Sequence, residues 1–111
     1  MFEVSVSTVH QVAVVEARGR IDSTTAASFG EALMNTIEGG IVRLVLDLQG
    51  VDYMSSAGLR EIVAALKKTR KQQGDIRLAE AAPRVLEVLE MAGLDTFVQI
   101  FSSRAEALKS F

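Results

Sequence analysis

Cysteine is absent from the 111 residues, so neither a disulfide scaffold nor a thiolate metal site is available. Histidine occurs once, as His10, and one imidazole in a polar break between two β-rich runs reads as a turn residue rather than a catalyst. Charge of one sign is also lacking. With 12 Lys+Arg against 14 Asp+Glu, a formal charge of −2 gives no electrostatic footprint for a polyanion, which argues against nucleic acid as the partner. Hydrophobic residues make up 49%, yet no apolar run approaches the roughly 18 residues needed to cross a bilayer. Met1-Phe2-Glu3 opens neither a secretory signal nor a basic transit peptide, so membrane insertion is not expected and the cytosol is the expected location. A chain of this size buries about 65% of its unfolded surface, enough for one core. The expectation is a single domain over residues 1–111 binding a protein or a small ligand.

The patterning that is present alternates in kind. Phe2, Val4 and Val6 alternate with Glu3, Ser5 and Ser7 through Val9, a half-buried strand, and Val12 to Ala17 pairs with it as a hairpin ended by Gly19. Asp22-Ser23-Thr24-Thr25 supplies N-cap residues for a helix from about Thr24 to Glu38, stopped by Gly39-Gly40. Ile41 to Leu48 is too continuously apolar for a one-faced strand and predicts a central strand with helices on both faces. Leu59, Ile62, Val63 and Leu66 share one face of a second helix, whose Lys67, Lys68, Arg70 and Lys71 suit the negative end of its dipole before Gly74. Asp75 to Ala79 is a short strand. Pro83 opens a third helix through Val85, Leu86, Leu89 and Ala92; Phe97 to Phe101 is a last strand and Ser103 to Phe111 a closing helix. The order ββαβαβαβα argues an α/β fold: an initial hairpin, then a mostly parallel sheet of four to five strands flanked by about four helices.

Enzyme motifs are missing. There is no P-loop, no G-x-G-x-x-G and no nucleophile elbow, because Met54 stands two residues before Ser56 where the elbow needs glycine. Asp22, Asp47 and Asp52 fall on a loop, a strand and a later loop, and nothing local brings them together as a metal site. A receiver-like phosphoacceptor fails because the last strand carries no lysine. No catalytic residue, metal or cofactor is expected.

The informative segment runs from Asp47 to Arg60. It puts Ser55 and Ser56 at the mouth of the second helix, where first-turn N–H groups point outward. One reading is a simple N-cap, worth on the order of 1 kcal/mol. Three details point further: a cap needs one hydroxyl and two are present; the first turn holds Arg60 and no acid, which suits an added dianion; and Tyr53 and Met54 place bulk beside the rim, either as surface or as core. Together they suggest a phosphate-accepting serine within a protein-binding face.

Tyr53-Met54-Ser55-Ser56-Ala57-Gly58-Leu59 resembles the signature of the STAS domain of bacterial anti-sigma factor antagonists. Gly19-Arg20-Ile21-Asp22 is similar to that family's Gly-x-Leu/Ile-Asp element, and Met91-Ala92-Gly93-Leu94 to its turn after the third helix. The resemblance implies a partner switch without enzymatic activity. Ser56 is the residue it marks for phosphorylation by an anti-sigma factor that is also an ATPase-like serine kinase, and a metal-dependent serine phosphatase resets the switch. Asp22, Tyr53, Met54, Ser55, Ser56, Gly58, Leu59 and Arg60 are the implied partner-binding residues. The chain has Ser55 where the best-known members carry Asp, which makes Ser55 an alternative acceptor, and Ala57 where they carry a second hydroxyl. Other roles for such a module are a non-phosphorylated subunit of a lipid-transport or sensory assembly, or a switch with a non-sigma output such as secretion.

Overall fold

A computed structural model describes residues 1–111. Its elements are β1 (Phe2–Val9), β2 (Val12–Ile21), α1 (Ala26–Glu38), β3 (Arg43–Met54), α2 (Ser56–Lys71), β4 (Asp75–Ala79), α3 (Pro83–Met91), a 3-10 turn (Leu94–Thr96), β5 (Ile100–Phe101) and α4 (Arg104–Lys109). The five strands form one sheet in sequence order; β1 is antiparallel to β2 and every later neighbour is parallel. Each parallel pair is joined by a helix, as crossover geometry requires.

Helices do cover both faces, but unequally. Phe29, Leu33 and Ile37 of α1, Ile62, Ala65 and Leu66 of α2, and Val85 and Leu89 of α3 share one core with Leu44, Leu46 and Leu48 of β3. The opposite face has only α4, whose Ala107 packs with Val12, Val14, Val45 and Ala79. A second device holds α4 there. Arg104 donates from Nε to Oδ2 of Asp47 at 2.8 Å and approaches the same oxygen through a terminal nitrogen at 2.7 Å, while Asp47 Oδ1 accepts the Gln49 N–H at 2.9 Å. Asp47 is thus a buried ion-pair residue, and the Asp47 carboxylate holds the Arg104 pKa above its ordinary value against the opposing effect of burial.

Several boundaries differ from the sequence expectation. Gly19 does not end β2: it sits inside the strand with φ +100°, where an added Cβ would fall 2.0 Å from the Met1 carbonyl oxygen, and pairing continues to Ile21. α1 begins at Ala26 rather than Thr24 because Asp22 to Thr25 close a side-chain-bonded turn first. β3 runs to Met54, well beyond Leu48, because two bulges carry it on. In its pairing with β2, Glu16 and Arg18 oppose Asp47 and Gly50, and Gly19 and Arg20 oppose Val51 and Tyr53, so β3 spends an extra residue at each step. Inward side chains therefore follow the spacing Leu48, Val51, Met54, a pattern that alternation does not reveal. β5 keeps only Ile100–Phe101 of the expected Phe97–Phe101, since the preceding residues enter and leave the 3-10 turn. The closing helix is likewise trimmed to Arg104–Lys109, with Ser103 as its cap.

Candidate functional site

The ends of β2 and β3 lie side by side, with Ile21 paired to Met54 and the Ser55 N–H donating to the Ile21 carbonyl at 2.8 Å. α1 and α2 start from this same rim, the end of a parallel sheet at which α/β proteins place their ligands. The two serines separate there. Ser55 is extended (φ −94°, ψ 172°) and its Oγ accepts the Gly58 N–H at 3.4 Å, a long capping bond. Ser56 is the first helical residue, exposed, and its hydroxyl is engaged by no other group of the chain. Arg60 is exposed one turn further along the same helix, four residues from Ser56 and on its face.

Tyr53 and Met54 take opposite fates. Tyr53 is 41% exposed, and the Arg20 guanidinium lies over its ring at 4.2 Å from the centroid. Arg20 also approaches Asp22, Nε to Oδ2 at 3.5 Å. Asp22 Oδ1 accepts from Thr24 Oγ1 at 2.6 Å and from the Thr24 N–H at 2.9 Å, and these bonds hold its carboxyl below the ordinary range. Asp22, Arg20 and Tyr53 therefore form one ordered stripe beside the serines.

Met54 and Gly58, expected among the partner-contacting residues, point the other way. Met54 is 2% exposed and belongs to the main core, and Gly58 is buried against it. A Cβ on Gly58 would fall 2.6 Å from both Ile21 Cγ2 and Met54 Sδ, so glycine is what lets the first turn of α2 settle onto the strand ends. Both residues shape the rim from beneath. Leu59 is half-buried and packs on the same core, leaving Asp22, Tyr53, Ser55, Ser56 and Arg60 as the accessible part of the expected set.

Sequence reading missed Arg20 and Arg84. The first stands inside the Gly19-to-Asp22 element, and its alternation with the buried Ile21 is a usable signal. The second gives none. Arg84, at the start of α3, reaches the rim only through the fold, where it lines a depression of about 250 Å³ with Asp52, Tyr53, Val85, Glu87 and Val88. Asp22, Asp47 and Asp52 are not brought together: Asp47 faces α4, Asp52 is exposed at the bulge, and no three His, Asp or Glu side chains cluster in a metal-holding arrangement. His10 lies in the β1–β2 turn, and no helix is long and apolar enough to cross a membrane.

The chain is similar to known proteins over most of its length. The sequence model of the STAS domain matches residues 3–107. BtrV of Bordetella bronchiseptica, provisionally named an anti-sigma factor antagonist, is 36% identical over 85% of this chain and 81% of its own length. The anti-sigma-B factor antagonist of Listeria monocytogenes is 36% identical over 79% of this chain and 77% of its own. Among solved structures, an anti-sigma factor antagonist from Mycobacterium paratuberculosis superposes with a TM-score of 0.91 at 26% identity, covering 99% of this chain and 93% of that one. The matched residues take in the whole rim and every strand of the sheet, and the chain belongs to the STAS domain family that includes the anti-sigma factor antagonists.

Proposed function

We propose that the chain is an anti-sigma factor antagonist worked as a phosphorylation-controlled partner switch, not an enzyme, acting in the cytosol. In this reading it binds a cognate anti-sigma factor of the ATPase-like serine-kinase type while Ser56 is free, and releases it once Ser56 is phosphorylated. A metal-dependent serine phosphatase restores the binding form. The observation that carries the proposal is the division of labour between the serines: Ser55 is committed to the cap, while Ser56 stands exposed at the helix mouth with no competing bond. Ser55 Oγ already accepts the Gly58 N–H, whereas Ser56 Oγ is unengaged, which favours Ser56 as the acceptor.

A phosphate on Ser56 adds about −1.5 to −2 charges at the positive end of the α2 dipole, with Arg60 one turn away. The domain therefore stays folded, and the effect falls on the interface. The dianion enters beside Tyr53 and the Asp22 carboxylate, where a docked partner would meet desolvation and like-charge repulsion. A loss of roughly 3–4 kcal/mol weakens binding by two to three orders of magnitude, enough to act as a switch.

The test is incubation with the cognate kinase and ATP, followed by phosphosite mapping and binding measurements. Ser56→Ala is expected to remain bound and unmodified, and Ser56→Asp to fold normally while binding poorly. Phosphate on neither Ser56 nor Ser55 would overturn the proposal, and a stable complex without phosphate would make the chain a fixed assembly subunit instead.

A further inference from the structure

The two edges of the sheet are built differently. One edge is β5, only two residues long. The other is β1, eight residues long, with a single charge at Glu3, no Lys or Pro, and unbroken pairing to β2 from Phe2 to Val9. Native edges are normally blunted by shortness, Lys, Pro or a bulge. β5 has the first of these protections, and β1 has only the charge of Glu3 near one end.

The hairpin fixes which backbone groups face outward. His10 and Gln11 both have positive φ, 49° and 68°, the two-residue turn that closes on a hydrogen-bonded Val9–Val12 pair. Bonding then alternates through Ser7–Val14, Ser5–Glu16 and Glu3–Arg18, so the N–H and C=O groups of Phe2, Val4, Val6 and Thr8 point away from β2. Val6 is 46% exposed and Val9 39%, two of the six large hydrophobic residues that the chain leaves at its surface.

We propose that β1 is a self-association edge at which a second copy of this chain adds its own β1 antiparallel, making one ten-stranded sheet. The strand matches itself across a two-fold axis at Val6. Val6 then faces Val6 of the other copy, Val4 faces Thr8, Ser5 faces Ser7 and Glu3 faces Val9, so the lone carboxylate never meets its like. Val4 and Val6 of both copies line up on the face that carries α1. A strand of eight residues is about 27 Å long, and pairing along it buries less than a standard interface, so the dimer is weak, with a Kd of roughly 10 μM to 1 mM. Ser55 and Ser56 take no part in it.

Sedimentation velocity of the full chain between roughly 10 μM and 1 mM reads the association directly. Expected is a concentration-dependent passage from monomer to dimer, weakened at least about tenfold in Val6→Lys, which sets two ammonium groups against each other at the axis. Hydrogen exchange on the unmodified chain gives a second measurement: protection of the Val4, Val6 and Thr8 amides rises with concentration, while Ser5 and Ser7 are protected throughout. A chain that stays monomeric at the highest concentration, or a dimer that forms without protection at those three amides, overturns the proposal. If Val6→Lys fails to fold, the exchange measurement decides.

Discussion

Replacing Gly58 with Ala sets two opposed effects against each other at the rim. In an exposed helix interior this change stabilises by about 1 kcal/mol through backbone entropy, and less at the third residue of α2, where the helix is only beginning. Against it stands a Cβ placed 2.6 Å from Ile21 Cγ2 and 2.6 Å from Met54 Sδ, where ordinary contact is about 3.5–4 Å. Neither neighbour yields easily. Ile21 is fully buried and β-branched, Met54 is 2% exposed, and the Ser55 N–H bond to Ile21 ties the helix start to the strand end. Overpacking of this kind costs roughly 1–3 kcal/mol, which outweighs the helix gain and leaves a net loss of about 1–2 kcal/mol. Urea unfolding followed by circular dichroism should show a midpoint lowered by about 1 M with an unchanged slope. A midpoint equal to or above that of the unmodified chain would refute the claim that close approach at Gly58 shapes the site.

Two further expectations concern the rest of the fold. Asp47→Ala removes the acceptor of both Arg104 contacts; with Arg104 partly open to water and also 3.2 Å from Glu16, the cost is about 2–3 kcal/mol rather than the full price of a sealed pair. Because six residues are too few for a helix to stand alone, hydrogen exchange of α4 should rise first, and a loss under about 0.5 kcal/mol would remove the pair from the account. Acid should also weaken the fold. Glu16 is held below its ordinary pKa of 4.5 by its hydrogen bond from Arg18 and by the charges of Arg18 and Arg104, and Asp22 below 3.8 by Thr24. Depressed carboxylates contribute stability above their unfolded values and lose it as pH falls through the folded ones, so the melting temperature should be level above about pH 5 and drop below about pH 4. A melting temperature that rises on acidification would contradict these assignments.

Local pattern was sufficient where one period governs a segment. β1 and β4 fall where alternation and turn residues put them, and α3 starts at Pro83 as read. It was insufficient where the period changes within an element. The bulges of β3 move its inward residues from a spacing of two to a spacing of three, so Tyr53 and Met54 read as a loop beyond a strand that in fact contains them. The same shift left open which of the two faces inward. Arg104 and Asp47, 57 positions apart, carry no mutual signal in sequence.

What the sequence by itself determined is the inventory: a thiol-free α/β domain of −2 charge, an element order, and one segment with two hydroxyls at a helix mouth. These follow from residue types and short-range periodicity, which act within a few positions along the chain. The tertiary structure decided how that segment is divided. Docking of α2 on the ends of β2 and β3 buries Met54 and Gly58, leaves Tyr53 under Arg20 and keeps Ser56 exposed. Those outcomes depend on which strand end meets which helix turn, an arrangement set only when the sheet and its helices close around a common core.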